Sequence, residues 1–270
     1  MINPLYPFAS PRPLKGAYLD LPLRTWQKSN KHPLLFSNFV SSLDGRIALW
    51  DDAVNDYTIP SSIANARDWR LYQELAAQAD VLITSARYYR QWAAKRHQGA
   101  LPVGNSSEFS DIQAWRVQQA MTAQPDIIIV TRTLTLPLEP LLSLMAAGRS
   151  VHVACCAVSP KEAIKTLKGH GIHVSCCGDA AVEGLALRAL IRDQNYRVAC
   201  MLAGAAVHTT LLQAKVLDYM FLTLRHSLVG GNNIQGITQG VWNTSRALQL
   251  HHLFHDTVTE QLFACFRVVP

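Results

Sequence analysis

Charge is scarce in this chain of 270 residues: Asp, Glu, Lys and Arg make up 16% of it, while hydrophobic residues make up 49%. A typical globular chain carries about 25% charged residues, and intrinsic disorder requires the opposite balance, so disorder is excluded. Blocks of like charge are also missing. The 25 basic and 19 acidic side chains leave +6, split evenly as +3 from residues 1–150 and +3 from 151–270. Without a basic tail or stripe, no nucleic-acid partner is expected. The mild excess reads as a field that favours anionic small molecules. No apolar stretch reaches the ~18 residues needed to span a membrane, so no membrane partner is expected. The opening MINPLYPFASPRP lacks a charged segment followed by an apolar run, so it does not read as a secretion signal and a cytoplasmic location is expected.

Several site signatures are missing too. There is no G-x-G-x-x-G fingerprint and no Walker-type loop. The six cysteines, at 155, 156, 176, 177, 200 and 265, include two vicinal pairs rather than the two-to-four-residue spacing of zinc ligands. They read as small buried hydrophobes in a reducing compartment. His251, His252 and His255 look like a metal cluster, but no Cys or carboxylate at helical spacing completes it. No metal is expected.

What is present has a clear rhythm. Residues 1–31 hold five of the 13 prolines and no sustained period, which predicts an extended arm laid over the body with Trp26 as an anchor. Residues 32–270 read as a single domain. Apolar runs predict strands at 34–40, 81–84, 127–130, 151–155, 172–176 and 198–202. Helical spacing marks 61–79, 87–97, 110–123, 160–170, 181–193 and 205–214. This alternation predicts a mixed, mostly parallel sheet with helices on both faces. Segments 217–224 and 261–269 follow each other without a long helix and are expected as antiparallel C-terminal strands.

Three segments could carry chemistry. Ser-Ser-Leu-Asp-Gly (41–45) follows the first buried strand, where polar groups are presented at a sheet's carboxyl edge; it is equally an ordinary Asp-Gly turn. Thr131, Arg132 and Thr133 end the isoleucine-rich strand, and a guanidinium between two hydroxyls suits a phosphate monoester. Leu-Ala-Gly-Ala (202–205) and Leu-Val-Gly-Gly (228–231) are glycine turns; the first opens a helix whose free N–H groups could face a pyrophosphate. Arg70 and Arg87 belong to a basic series that is mostly helix surface, one member of which could meet a substrate phosphate.

The order of these pieces resembles the reductase domain of the riboflavin-pathway deaminase/reductase, a family of pyrimidine reductases with a dihydrofolate-reductase-like three-layer fold. The carriers are Asn-Phe-Val-Ser-Ser-Leu-Asp-Gly-Arg-Ile-Ala (38–48), Ala-Asp-Val-Leu-Ile (79–83), Val-Thr-Arg-Thr-Leu-Thr-Leu (130–136) and Leu-Asp-Tyr-Met-Phe-Leu-Thr-Leu (217–224) with Leu-Val-Gly-Gly (228–231). Residues 252–268 resemble the family's terminal hairpin.

The resemblance implies hydride transfer from NADPH to C1′ of a ribosylamino-pyrimidine phosphate, and hence a phosphorylated small-molecule substrate. It places Val40 and Ser41 beside the nicotinamide and makes Asp44 the catalytic, substrate-bonding carboxylate. Thr131, Arg132 and Thr133 would hold the 2′-phosphate, while Ala203, Gly204, Gly230 and Gly231 would approach the cofactor. Arg70 is the candidate for substrate phosphate, and a homodimer through the terminal strands is expected. Three departures accompany the match. Ser85-Ala86-Arg87-Tyr88 replaces a Gly-x-Gly-Thr stretch, Leu202 stands where the family has a carboxylate, and Ala76 stands where it has an arginine. They leave open a divergent member with another substrate, or an inactive cofactor-binding paralogue.

Overall fold

A computed structural model describes residues 1–27, 32–95, 103–240 and 245–269. In chain order the elements are β1 (Asn3–Tyr6), α1 (Leu23–Trp26), β2 (Leu34–Ser42), β3 (Ala48–Asp51), β4 (Asp56–Thr58), α2 (Ala66–Gln78), β5 (Val81–Ser85) and α3 (Ala86–Ala93). They continue with α4 (Ser110–Gln118), β6 (Asp126–Val130), α5 (Leu138–Ala146), β7 (Val151–Cys155), α6 (Lys161–Gly169), β8 (His173–Cys176) and α7 (Gly184–Asp193). The last are β9 (Val198–Met201), α8 (Ala205–Gln213), β10 (Tyr219–Arg225), β11 (Ile234–Gln235), β12 (Leu248–Asp256) and β13 (Gln261–Val268).

Ten strands form one sheet in the order β1-β12-β13-β10-β2-β9-β5-β6-β7-β8. Every neighbouring pair from β10 to β8 is parallel. The other end closes with antiparallel β13, β12 and β1. Strand β9 inserts between β2 and β5, so the chain reverses its direction of travel across the sheet at this point. A second, three-stranded sheet of β11, β3 and β4 follows the carboxyl end of β2.

Alternation along the strands sends side chains to two cores. Leu35, Ile83, Ile128 and Met201 pack with Leu187 and Ile191 of α7 and Leu211 of α8. Their neighbours Phe36, Leu82 and Cys200 pack on the opposite face with Leu71 and Leu75 of α2 and with Ile2, Leu14, Tyr18 and Leu23 of the N-terminal segment. Ile127 and Ile129 extend that face to Leu141 and Leu144 of α5. The result is the expected three-layer α/β arrangement, with its mostly parallel sheet between two helical layers.

Several expectations need correcting. The segments 217–224 and 261–269 do run antiparallel, as β10 and β13, but β10 is internal rather than an edge strand, because its other side pairs parallel with β2. The short α8 is the reason, because it returns the chain to the starting edge, as a parallel connection requires. The helix predicted over 61–79 begins only at Ala66, because Asn65 caps it: its Oδ1 accepts the N–H groups of Arg67 and Asp68 at 3.0 and 3.1 Å. Helix α5, the three-stranded sheet and the first half of β12 had no expectation. Part of the predicted helix 87–97 lies outside the described residues.

The N-terminal segment does lie over the body, and Trp26 does pack, 4.7 Å from the Tyr219 ring. It is more than an overlay, since β1 is a strand of the main sheet. Glu74 fastens it: its buried carboxylate accepts the N–H groups of Gly16 and Tyr18 at 2.7 and 2.9 Å. Gln78 also donates to the Tyr18 carbonyl. All six cysteines are free, and all but Cys176 are buried. Among the described residues no helix is long and apolar enough to cross a membrane.

Helix α2 is held from behind by Arg116 of α4, whose side chain is completely buried. Its guanidinium donates to the carbonyls of Ala77 and Ala79 at 2.6 and 3.0 Å and to Thr122 O at 2.7 Å. A helix C-terminus leaves carbonyls without partners and carries partial negative charge, so one cation answers both needs. Substituting Arg116→Met keeps the stem and leaves those carbonyls unpaired. Chemical denaturation should show a loss of about 3 kcal/mol; a loss below about 0.5 kcal/mol would contradict the capping role.

Candidate active site at the carboxyl edge of the sheet

Because the strands from β10 to β8 are parallel, their carboxyl ends share one edge, and ligands of open α/β sheets gather where strand order reverses. Here that place is the neighbourhood of β2, β9 and β5. Every sequence-derived candidate except Arg70 maps to this edge. Val40 and Ser41 lie near the end of β2, and Asp44 in the turn just after it. Ala203 and Gly204 follow β9, Thr131 to Thr133 follow β6, and Gly230 and Gly231 lie beyond β10.

Order along the edge matters. Strand β6 is three places from β2, with β9 and β5 between them, a span of roughly 14 Å at ~4.8 Å per strand. The start of α8 lies between the two ends. Its first intrahelical bond runs from His208 N–H to Gly204 O, so the N–H groups of Ala205, Ala206 and Val207 precede it and face outward. Gly204 has φ −75°, which any residue adopts, and a Cβ built there would meet nothing within 4 Å. The fold therefore does not demand glycine at 204, and the space beside it is free for a ligand. Gly230 and Gly231 differ: φ values of +65° and +94° require glycine for the turn itself.

Around β6, Thr131 is buried and its Oγ1 accepts the Leu134 N–H at 3.2 Å. That bond shapes a turn from which Arg132 and Thr133 project, both exposed. Among the described residues no hydrogen bond or ion pair holds the Arg132 guanidinium, while its carbonyl accepts from Ser159 at 2.7 Å. The backbone is fixed and the cation is free.

Two carboxylates near this edge behave in opposite ways. Asp44 accepts from Ser42 Oγ at 2.5 Å and from the N–H groups of Gly230 and Val229 at 2.8 and 3.2 Å, with Arg46 Nε 3.5 Å away. The Ser42 hydroxyl, followed by those backbone donors, lowers its pKa to about 2. Asp44 is thus a fixed anion that ties the β2 turn to the β10 loop.

Asp68, which no sequence signal singled out, lies in the first turn of α2 and is buried. Burial raises its pKa to about 6, although a hydrogen bond from Thr223 pulls the other way. Thr223 of β10 is the register partner of Val40, so Asp68 stands on the α2 face close to the end of β2. The pattern Asn65-x-x-Asp68 announces an acid in a first helical turn, but its burial depends on the packing of α2 against β10.

The same face is otherwise lightly polar. Tyr72 and Tyr88 share a hydrogen bond, and burial raises both phenols. Among the described residues the Thr84 hydroxyl is buried without a partner. Leu202 and Ala76 join the hydrophobic cluster beneath α2. Arg70 does not reach the edge, and its reading as a substrate contact is corrected. Only 4% exposed, it donates to Glu74 at 2.7 Å and to both oxygens of Asp111 at 2.9 and 2.5 Å. A guanidinium committed to two carboxylates inside the protein has no fork left for a phosphate. Arg87 is likewise engaged, with Asp56 at 2.9 Å.

A mostly parallel sheet reversing at β2, between two helical layers and closed by antiparallel C-terminal strands, defines a three-layer α/β domain. The chain belongs to the RibD C-terminal domain family, whose model matches residues 33–262. Among solved structures it is similar to a pyrimidine reductase-like protein from Corynebacterium diphtheriae, with TM-score 0.73 and 15% identity over 95% of this chain and 98% of that one. It also resembles RibD of Acinetobacter baumannii, with TM-score 0.61 and 18% identity, where 88% of this chain covers 58% of the other. A third relative is the riboflavin biosynthesis reductase Rib7 of Saccharomyces cerevisiae, with TM-score 0.58, 12% identity and coverage of 92% and 95%. At these identities the likenesses establish the fold. No curated protein matches the chain in sequence.

The raised pKa of Asp68 has a signed consequence. An unfolded chain would bind this proton with the ordinary value of 3.8, the folded one at about 6. The contribution to stability is fully present below about pH 4 and is lost as pH rises through about 6. Asp68→Asn removes this dependence. Urea unfolding of the two proteins should show the wild type losing up to about 3 kcal/mol relative to the variant between pH 4 and pH 7. Parallel profiles would mean that Asp68 titrates normally.

Proposed function

We propose that the chain is an NADPH-dependent reductase that transfers hydride to a phosphorylated small molecule of the ribosylamino-pyrimidine type. One observation carries the reading. The groups follow the order of the cofactor's own parts along one sheet edge, from the buried end of β2 at Val40 and Ser41, past the N–H groups and open space at Gly204, to the uncommitted Arg132 with Thr133. The first would border the nicotinamide, the second the pyrophosphate and the third the 2′-phosphate. Family membership points the same way.

When bound, the cofactor supplies the hydride; the residues of the chain align, enclose and protonate. Reduction of an open-chain imine adds hydride to carbon and sends the C=N electron pair to nitrogen, which then takes a proton. Asp44, with its pKa near 2, is fully ionised and cannot donate; its task is to hold Gly230 and Val229 against β2. Asp68, near 6, retains a proton on a usable fraction of molecules at neutral pH, so it is the better proton source. Thr131 acts through the turn it shapes beneath Arg132.

A second reading changes the substrate and keeps the cofactor. Leu202 and Ala76 make the α2 face more apolar, which favours a less charged acceptor there. Turnover of the ribosylamino-pyrimidine phosphate, followed by loss of reduced-nicotinamide absorbance, separates the two readings. A homodimer through the terminal strands is also proposed, and the exposed Leu5, Tyr6 and Phe8 at that end of the sheet offer apolar surface for it; sedimentation of the purified chain decides it.

Cofactor choice is tested by titrating NADPH and NADH into the wild type and Arg132→Ala. Losing a charge-assisted contact worth about 1.5–3 kcal/mol should weaken NADPH binding roughly 10- to 150-fold and leave NADH within about threefold. Equal weakening of both, or no binding of either at millimolar concentration, would overturn the assignment.

A further inference from the structure

Away from the carboxyl edge, the hairpin of β12 and β13 carries an irregularity. Leu250 faces Phe266 and His252 faces Cys265, which leaves His251 as an extra residue on β12. Such a bulge re-aims side chains, and here both imidazoles turn to the face covered by the N-terminal segment. The His251 ring lies 4.4 Å from Trp26 and 5.5 Å from Tyr219. The His252 ring lies 5.8 Å from both Tyr18 and Phe221. Cys265, directly opposite on β13, is completely buried.

A donor nitrogen from each imidazole and Cys265 Sγ all fall within 4.8 Å of one another. Among the described residues, His251 Nδ1 and both ring nitrogens of His252 are buried without a hydrogen-bond partner, and His252 is only 4% exposed. A buried imidazole with neither nitrogen satisfied is costly, and a metal ion is the ligand that would satisfy imidazole nitrogen and thiolate together.

We propose that His251, His252 and Cys265 form a binding site for one borderline-soft transition-metal ion of the Zn²⁺ class. The N₂S donor set excludes hard cations, which require oxygen ligands. At bond lengths of about 2.0–2.3 Å, donors around one ion sit about 3.5 Å apart, so the cluster contracts by about an ångström on binding. Cys265 ligates as thiolate, its S–H proton passing to solvent as the dication enters. Among the described residues no fourth His, Cys or carboxylate joins the group, which leaves one position for water. Trp26 and Tyr219, the rings that flank His251, also wall a cavity of about 440 Å³ on that side. Arg188, Lys215, Arg246 and Arg267 line the same cavity against one carboxylate, Asp218, and oppose a dication there; the Cys265 thiolate offsets part of that charge at the site itself. Bound metal would clamp β12 to β13 at the bulge, beneath Trp26.

The test is titration of the untagged, chelator-treated full chain with CoCl₂, since thiolate-ligated cobalt has its own charge-transfer absorption. The expected result is saturation at one equivalent, displacement by one equivalent of ZnCl₂, and loss of the band in Cys265→Ser. His251→Gln, at a half-buried ring whose replacement opens no large cavity, should weaken cobalt binding at least tenfold. It serves as the deciding variant if Cys265→Ser fails to fold. Absence of a thiolate-to-cobalt band in the wild type would overturn the proposal. So would a band that persists in folded Cys265→Ser, as binding at the exposed Cys176 would give, or unchanged affinity in His251→Gln.

Discussion

The carboxylate of Glu74 joins three pieces of chain: α2, the N-terminal segment and, through Arg70, α4. It sits in the middle of α2, completely buried, and receives backbone N–H groups from the N-terminal segment together with the guanidinium of Arg70. A carboxylate buried without such partners would be prohibitively costly, so its burial and the docking of the N-terminal segment are one event. Arg70 then extends the network to Asp111 of α4, and Arg116 from that same helix takes the last carbonyls of α2. Asn65 closes the other end. A helix pinned at its start, middle and finish has little freedom, and Asp68 rides on its first turn. The unusual proton affinity of Asp68 therefore depends on the clamp that Glu74 anchors.

The second constraint is the order of the strands. Placing β9 between β2 and β5 brings the start of α8 beside the end of β2 and spaces both from the turn after β6 by whole strand widths. Residues distant in sequence become successive positions along one edge. The chain is poor in charge, yet the charges near this edge have distinct assignments. Asp44 is spent on holding two loops together, Arg87 on Asp56, and Arg132 on nothing else among the described residues. A small net excess of +6 thus acquires a local meaning in one uncommitted guanidinium.

Much of this was legible in the sequence where the physics is local. Apolar runs marked the parallel strands, and the glycine turns at 202–205 and 228–231 were readable over a few residues, whereas the Asn65 cap and the turn at Leu134, whose φ is +57°, were not. The family resemblance located the edge residues, although it did not reveal that Asp44 would be enclosed by its own neighbours. What escaped was non-local. The parallel direction of β10 depends on which way α8 returns the chain. Arg70 looked available until α4 supplied Asp111, and Asp68 drew no expectation because its burial comes from the packing of α2 against β10. His251 and His252 lacked a third ligand along the chain because Cys265 arrives from the adjacent strand.

The central claim is that one extended ligand lies across the edge from β2 to β6. Hydrogen exchange followed by mass spectrometry, with and without saturating NADPH, tests it without any substitution. The account predicts slowed exchange in three separate segments at once: residues 40–45, 203–207 and 131–134. Protection confined to one of them, or appearing only at the opposite edge of the sheet, would contradict it.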